Sequence, residues 1–594
     1  MIMISRVCIT CCCLLMATRS VAAQVLERPE VIRVQFAMYE NPQLETPKSR
    51  LQLNQALLPL WREALRRPEA DYQRLAATAI ADAAEAGFPD LEPAQDDLQA
   101  VLTSKQNHPA ARTAAARALI ALQARDSARL LFEASQSMTA PMRLLVEPAL
   151  ARWKFEPILP VWRGRVREPL TNRRELILAL EGLAQVGDAQ PLEEILAIVH
   201  SPDRPVDIRL AAARTAGAVT DRKLEPHAAR LMNHPRATPV HRLCAVALLK
   251  RQTSDLAQQQ LTELAGDANP AVAEKALGHL FAIDPAMVLP LANQAIRHTD
   301  PKVRRRSADA LVALPDPQRV ERLASLLDDP HPQVRRSVRD DLYQLAGNDE
   351  LSDAVRQSAT AVLNNASWRG QEQAAILLGA LDEETAAGRL LELLHAERAE
   401  VNVASAWALR ELAIPETAPE ILDHVLQQTK ARRAGEGTPG IDERVAHLFE
   451  TLALLDFKPA ESLLREYVPK NFINGYYSRG AAIWALGLMY AGRPDEDLVE
   501  QFVGRMMDMH PTNPDVDIVY EMSATALGRM KAASRLPEFE ERLNTISAHE
   551  RLAYAIRWAL EQITGEPIPA PGPMIRARAG WFLEPAADLN PDAE

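Results

Sequence analysis

A turn followed by a short helix recurs along this sequence at a nearly constant interval. Residues 300–311 read Asp-Pro-Lys-Val-Arg-Arg-Arg-Ser-Ala-Asp-Ala-Leu, and related copies occupy residues 267–280 and 331–342. The β-branched residue before the basic position falls, at intervals of 32, 32, 31 and 31 residues, at Ile208, Val240, Val272, Val303 and Val334. A fixed period of about 20–50 residues is typical of stacked helical repeats. The sequence therefore predicts an all-α solenoid.

Each repeat carries its own helix signals. Asp300 can cap a helix whose first position is Pro301, where a missing backbone N–H costs nothing. Val303 and Leu311 then share one face at helical spacing, and the preceding helix is expected to cover that face. An Ala-Leu step returns eight residues after the β-branched position along most of the chain. This pattern predicts about fifteen helix pairs over residues 51–564.

The unit Asp-x-x-Pro-x-Val-Arg-x-x-Ala-x-x-Ala-Leu resembles the HEAT repeat. It is most similar to the short bacterial type named for phycobilisome bilin lyases, and the likeness is strongest over residues 205–347. The resemblance implies a right-handed α-α superhelix in which the second helix of each pair lines the concave surface. It also implies a function, since most such proteins are scaffolds that bind other proteins and only a few are enzymes.

The N-terminus has the pattern of a secretory signal peptide. Arg6 supplies a positive charge, residues 7–17 are apolar, and Val21-Ala22-Ala23 offers a small-residue cleavage site. The apolar run is shorter than the roughly 20 residues that span a bilayer. We therefore predict removal of residues 1–23 and export to the periplasm or the extracellular space. Residues 24–50 read as an irregular lead-in, and no later run is long enough to be a transmembrane segment.

Several classes of function have little support in the sequence. A net charge of −12 makes nucleic acid a poor partner. P-loop, nucleophile-elbow, His-Glu-x-x-His and haem-attachment motifs are not found, so we predict no catalytic residue, no cofactor and no metal site. Cys244 is the one cysteine after residue 23 and is read as core filler. Histidines such as His108, His234 and His510 precede prolines and are read as turn residues.

Arginines form two sets with open interpretations. The first set lies at one position of the repeat. Its arginines either form a ladder of ion pairs to turn carboxylates such as Asp267, Asp300 or Asp329, or line a groove for anions. The members of this column are Arg112, Arg143, Arg173, Arg209, Arg304, Arg335 and Arg356. Beside it lie Arg305, Arg306, Arg336 and Arg339, which are expected to face the concave side among aspartates. That second set is either a solvated face or a docking patch.

Three tryptophans occupy one column of the repeat. Trp407, Trp484 and Trp558 each stand just before an Ala-Leu step, where the middle repeats carry Asp309 and Asp340. A position that accepts a carboxylate is expected to be at least partly open, because an unpaired buried carboxylate is costly. Tryptophan is enriched at binding hot spots, so we predict that these rings contact a partner. Packing against neighbouring helices is the alternative.

Two segments interrupt the pattern. Residues 430–441 hold three glycines and a proline and predict a mobile loop, and residues 565–594 are rich in proline and predict a flexible tail. Together these features predict an exported, monomeric, non-catalytic scaffold that binds a protein or polymer on its concave surface. The alternatives are an enzyme related to the bilin lyases, or a cell-envelope component held through Trp581 and Phe582.

Overall fold

The computed structural model describes residues 31–44, 46, 50–54, 56–364, 367–577 and 580–584. The predicted signal peptide, residues 1–23, lies outside the described residues. The chain divides into two compact units. The first unit contains residues 48–291 and 573–594, and the second unit contains residues 1–47 and 292–572. Within the described part, no helix is both long enough and apolar enough to cross a membrane.

The first unit begins with a short strand β1 (Arg50–Gln52), which pairs with β2 (Ile575–Ala577). Its helices, numbered α1 to α14 in chain order, are Leu57–Arg66, Ala70–Glu85, Gln95–Thr103, Pro109–Ala121, Ala128–Ser137, Ala140–Arg152, Leu159–Arg167, Arg173–Val186, Leu192–His200, Val206–Val219, Glu225–Met232, Pro239–Leu248, Asp255–Ala265 and Pro270–Ile283. Helix α15 (Leu289–Ala295) lies where the two units divide.

The second unit continues the same alternation. Its helices α16 to α30 are Pro301–Ala313, Pro317–Ala324, Pro332–Leu345, Asp349–Leu363, Trp368–Ala380, Ala387–Leu393, Ala399–Leu412, Ala418–Arg433, Ile441–Leu454, Glu461–Glu466, Tyr476–Met489, Glu496–Met506, Asp517–Met530, Leu536–Thr545 and Arg551–Thr564. Short 3₁₀ turns occur at Ala37–Tyr39, Glu92–Ala94, Arg125–Ser127, Glu156–Ile158, Leu249–Arg251, Pro285–Met287, Ser325–Asp328, Glu384–Ala386, Pro415–Thr417, Lys458–Ala460, Phe472–Asn474 and Ala533–Arg535.

The thirty α-helices of the described chain make fifteen pairs, in which each odd-numbered helix is followed by its even-numbered partner. The predicted all-α HEAT-type solenoid is thus confirmed. The predicted cap is also present, because Asp300 Oδ1 accepts a hydrogen bond of 2.8 Å from the Lys302 N–H at the start of α16. Pro301 occupies the first position of that helix, as expected from its fixed backbone angle.

The second helices of the pairs pack on one another through small residues, which explains the recurring Ala-Leu step. A Cβ added to Gly487 in α26 would lie 2.7 Å from the Cα of Ala526 in α28. The same relation joins Gly528 in α28 to the Cα of Ala559 in α30, at 2.6 Å. Both alanines begin an Ala-Leu step. Backbones this close leave no room for a side chain larger than hydrogen on the facing residue.

The C-terminal residues differ from the predicted flexible tail. β2 pairs in parallel with β1, with Ile575 opposite Arg50, so both strands belong to the first unit. The Trp581 ring is buried and lies 5.6 Å from the ring of Trp61. The Trp61 indole N–H donates to the Phe582 carbonyl at 2.6 Å. The tail prediction is therefore wrong for the described residues of this segment, since aromatic burial holds them against α1.

The predicted loop at residues 430–441 is shorter than expected. Helix α23 continues to Arg433, and α24 begins at Ile441, so residues 434–440 form the connection. Ion pairs stabilise the added turn, because Arg433 binds Glu466 at 2.7 Å and Arg432 lies 3.5 Å from Asp442.

Candidate functional site

An irregular segment of the chain, residues 31–42, lies on the second helices of the second unit. We call it the N-terminal segment. It contacts α18 at its start and α28 at its end, and it meets α22, α24 and α26 between them in chain order. We call the helix surface that it covers the second-helix face. It contains one 3₁₀ turn, Ala37–Tyr39, followed by a turn at Glu40, and it bends at both ends.

Side chains of the second-helix face donate hydrogen bonds to backbone carbonyls of the N-terminal segment. The Arg339 guanidinium donates to the Ile32 carbonyl at 3.4 Å, and Arg410 donates to the Gln35 carbonyl at 2.6 Å. Near the other end, the Trp484 indole N–H donates to the Asn41 carbonyl at 2.5 Å. The Arg529 guanidinium also donates to that carbonyl, and to the Asn41 side-chain oxygen at 3.1 Å.

Carboxylates on the same face accept hydrogen bonds from backbone N–H groups of the segment. Asp340 accepts from Val31 at 3.3 Å, and Glu450 accepts from Met38 at 2.9 Å. The face therefore supplies both donors and acceptors to the main chain of a peptide. Contacts of this kind fix the path and direction of a backbone without depending on its side chains.

The side chains of the N-terminal segment fill specific places on the face. The Phe36 ring stacks 4.4 Å from His447 and lies 4.8 Å from Tyr477. Met38 is 1% exposed, and Ile32 is also buried. An aromatic residue followed two positions later by a long apolar residue therefore provides most of the apolar contact.

A buried ionic cluster lies beneath the centre of the segment. Glu450 is fully buried, and its Oε2 atom lies 3.2 Å from Arg410 and 3.3 Å from His447 Nδ1. Burial lowers the pKa of His447, although the Glu450 carboxylate acts in the opposite direction. Arg410 also pairs with Glu411, so its charge is shared between two carboxylates. A buried charge is tolerated only when it is paired in this way.

The groups around Tyr39 are also perturbed by burial. Burial is the main cause that raises the pKa of Tyr39 to about 12, and the neighbouring Tyr477 and Glu521 add to it. Arg551 lies 5.5 Å from the Tyr39 ring and 3.0 Å from Glu521. Burial lowers the pKa of Arg529 to about 10.

Within the tryptophan column, Trp484 contacts the N-terminal segment, and the predicted openness is wrong for Trp484 and Trp407. Trp484 is 0% exposed because the N-terminal segment covers it, and Trp407 is 3% exposed. Trp558 is half-buried, and the Arg529 guanidinium lies 5.8 Å from its ring. Asp340 and Glu450 stand at the position of these tryptophans in their own repeats. The column tolerates carboxylates because each has partners: Asp340 and Glu450 bind backbone N–H groups of the segment and neighbouring arginines, and Asp309 pairs with Arg305 and Arg306. Contact with a separate partner remains a prediction.

The four predicted docking arginines have different environments. Arg305 is buried and pairs with Asp309 at 2.9 Å and with Asp341 at 2.6 Å, so its side chain is not solvated. Arg306 is also buried, and it lies 3.5 Å from Asp309. Their charges are neutralised inside the solenoid. Of the other two, Arg339 binds the N-terminal segment as described above.

Arg336 is exposed and borders a cavity beside the N-terminal segment. The cavity has a volume of about 370 Å³ and is lined by Ile32, Val34, Arg339, Gln373 and Val403 among others.

The arginine column forms the predicted ladder in part. Arg304 makes a two-pronged ion pair with Asp329, with both contacts at 2.6 Å. Arg335 donates instead to the Asp329 carbonyl at 2.8 Å, and Arg209 donates to the Val199 carbonyl at 3.1 Å. The inclusion of Arg356 in the column is wrong, because it lies in α19, which is the first helix of its pair. The other members bind as follows: Arg112 to the Leu102 carbonyl, Arg143 to Glu175 and Arg173 to Asp207.

Cys244 and the turn histidines have the structural roles predicted for them. Cys244 is buried, and burial raises the pKa of its thiol to about 11. His108 and His234 each accept a hydrogen bond from a backbone N–H two residues later, at 3.2 and 3.1 Å. Among the described residues, no group of three or more histidine, cysteine or acidic side chains could hold a metal ion.

The main contacts of the N-terminal segment were missed by sequence reasoning. Phe36 and Met38 lie in the predicted irregular lead-in, where no periodic pattern marks them. The repeat pattern could have pointed to Glu450. This residue lies six positions after Arg444, as Trp407 lies six positions after Val401, so it shares the repeat position of the tryptophans. Arg410 carried no comparable signal.

Comparison with known proteins places HEAT repeats within this chain. Residues 258–342 match the HEAT repeats family. No curated protein matches the sequence. Similar solved structures include Kap95p, in work on its binding to RanGDP, with 14% identity and a TM-score of 0.49, covering 86% of this chain and 72% of that one.

Two further structures have comparable scores. Importin beta in an ammonium sulfate condition has 14% identity and a TM-score of 0.47, covering 85% of this chain and 72% of that one. Kap121p bound to Pho4p has 12% identity and a TM-score of 0.49, and the match covers 86% of this chain but 57% of that one.

Proposed function

We propose that this protein is an exported, non-catalytic scaffold that binds a partner protein along the second-helix face of its second unit. One observation carries the proposal: the face already binds a polypeptide. Arg339, Arg410 and Trp484 donate to backbone carbonyls of the N-terminal segment, and Asp340 and Glu450 accept from its backbone N–H groups.

The chemistry of the face suits a protein segment better than another polymer. The face supplies both donors and acceptors to the peptide backbone, with contacts at residues 31, 32, 35, 38 and 41 of the segment. Side chains that donate to peptide carbonyls, beside side chains that accept from peptide N–H groups, therefore support a protein partner.

The other two readings have weaker support. An envelope component held through the C-terminal aromatic residues would need them free, whereas Trp581 is buried against Trp61. An enzyme related to the bilin lyases rests on the sequence resemblance alone. Binding without catalysis is therefore the function that we infer.

Site-specific photo-crosslinking in cells tests partner binding. A photoreactive residue at Arg336 would sit at the exposed edge of the cavity beside the N-terminal segment. We expect it to give a discrete adduct with one partner, whereas the same residue at Leu256, exposed in the first unit, gives none. Equal adducts from the two positions, or none from Arg336, would contradict a binding site here.

Export has its own test. The proposal rests on the pattern of residues 1–23, with Arg6 followed by an apolar run and a small-residue cleavage site. Cell fractionation and N-terminal sequencing should find a mature chain in the periplasm or the medium that begins at Gln24. A cytoplasmic chain that retains Met1 would contradict export.

A further inference from the structure

We propose that the N-terminal segment is a displaceable internal competitor, and that the partner enters the second-helix face as a peptide of similar chemistry. The proposal deepens the function proposed above and rests on it. The peptide is expected to carry an aromatic residue at the place of Phe36 and a long apolar residue at the place of Met38. An apolar residue at the place of Ile32 completes the pattern.

The contacts of the segment show why it behaves as a ligand of the solenoid. It lies across helices that are hundreds of residues away in sequence, and it forms no α-helix or strand of its own. The helices beneath it pack on one another independently, through contacts such as Gly487 on Ala526. Because solenoid repeats are stabilised mainly by their neighbours, the face can persist when the segment leaves.

The chemistry of the face defines which peptides fit. Phe36 stacks on His447 and Tyr477, so a planar ring is favoured at that place. Met38 is buried directly beside Glu450, whose carboxylate accepts its N–H. A negatively charged side chain at the place of Met38 would meet this buried carboxylate and is excluded. Val34 is exposed, so its identity matters little.

Covalent connection gives the internal segment its advantage. A tethered ligand has an effective concentration on the order of millimolar, so a free peptide at micromolar concentration cannot displace it. Cutting the chain after folding removes that advantage without altering any contact on the face. A cut between Gln43 and Leu44 is suitable, because both residues lie outside helices and strands.

The test inserts a site for a sequence-specific protease between Gln43 and Leu44 and adds a fluorescent peptide of residues 31–42 to the purified protein. Fluorescence anisotropy measures binding, and mass spectrometry follows release of the native segment. We expect the cut chain to exchange its segment for the peptide and the uncut chain to bind about a hundredfold more weakly. Peptides with Phe36→Ala or Met38→Glu should compete about tenfold less well or worse, whereas Val34→Ala should compete normally.

Two results would overturn the proposal. A cut chain that keeps its native segment through prolonged excess of peptide would show that the segment is a permanent part of the fold. Equal binding by cut and uncut chains would place the peptide elsewhere. These outcomes are separate from the photo-crosslinking test, since exchange at the face can succeed when Arg336 captures no partner. Conversely, a partner cross-linked at Arg336 with no exchange would leave the scaffold function intact and remove the competition.

Discussion

Arg410 and Glu450 lie 3.2 Å apart on adjacent second helices, and each binds a backbone group of the N-terminal segment that crosses them. Arg410 binds the Gln35 carbonyl, and Glu450 binds the Met38 N–H. Both side chains are almost completely buried. One ion pair thus stabilises the packing between two repeats and positions a peptide above them.

Removing one member of this pair should cost more than removing both. Arg410→Met leaves Glu450 buried without its main counter-charge, and such a change costs about 3–5 kcal/mol. Arg410→Met combined with Glu450→Met removes both charges and should recover part of that loss. Urea denaturation followed by tryptophan fluorescence measures the unfolding free energies of Arg410→Met, of Glu450→Met and of the double variant. Additive effects of the two single substitutions would contradict the coupling.

The indole N–H of Trp484 should contribute measurably to holding the N-terminal segment. Trp484→Phe removes one of the two donors to the Asn41 carbonyl and keeps an aromatic ring, while Arg529 still donates to that carbonyl, so we expect the loss of a single hydrogen bond, about 0.5–1.5 kcal/mol. Trp153→Phe is the matched control, because that indole N–H donates to Gln123 at an exposed site. Denaturation midpoints should fall more for Trp484→Phe. Equal shifts would show that the hydrogen bond to Asn41 is unimportant.

The sequence predicted the repeats well because each repeat is local. The cap at Asp300 and the Ala-Leu steps depend on residues within one repeat or on its neighbour, so periodicity reveals them. The covering of Trp484 by Asn41 joins residues that are 443 positions apart, and no pattern in a single sequence reports such a contact. Contact of the three tryptophans with a separate partner stays a prediction. The burial of Trp484 was not predicted because the covering segment has no period.

Close approach of second helices predicts a sharp difference between glycines. A methyl group at Gly487 or Gly528 would meet the backbone of the next helix at 2.7 or 2.6 Å. We expect Gly487→Ala and Gly528→Ala each to destabilise by about 1–3 kcal/mol through overpacking. Gly504→Ala is the control, since it lies in α27 with nothing within 4 Å of the added Cβ, and there alanine should stabilise by up to about 1 kcal/mol. Thermal melts that rank these variants otherwise would contradict the packing.

The connection at residues 434–440 should be the first site of proteolysis in the described part of the second unit. Arg433 ends α23 at the edge of this connection and is exposed, whereas Arg432 is partly buried and close to Asp442. Because cleavage needs a locally open backbone, limited trypsin digestion should cut first after Arg433. The cut should leave two helical fragments. Mass spectrometry identifies the site. A first cut within α16 or α18 would show that this connection is well protected.

Acidification should destabilise the second unit through His424. Burial is the main cause that lowers the pKa of this histidine to about 3, and Arg444 and His395 add to the effect. Among the described residues, neither ring nitrogen has a hydrogen-bond partner. An unfolded histidine has a pKa of about 6.5, so the unfolded chain binds the extra proton first as the pH falls.

Stability is therefore fully present above about pH 6.5 and declines as the pH falls towards 3, by up to about 1.4 kcal/mol per pH unit for this one group. His424→Leu removes the titrating ring, and the dependence of its unfolding free energy on pH should be shallower than that of the natural chain. His108→Leu, at an exposed turn in the first unit, is the control and should leave the slope unchanged. Urea denaturation at pH 7, 6 and 5 measures all three proteins. An identical slope for His424→Leu and the natural chain would show that His424 does not remain neutral in the folded state.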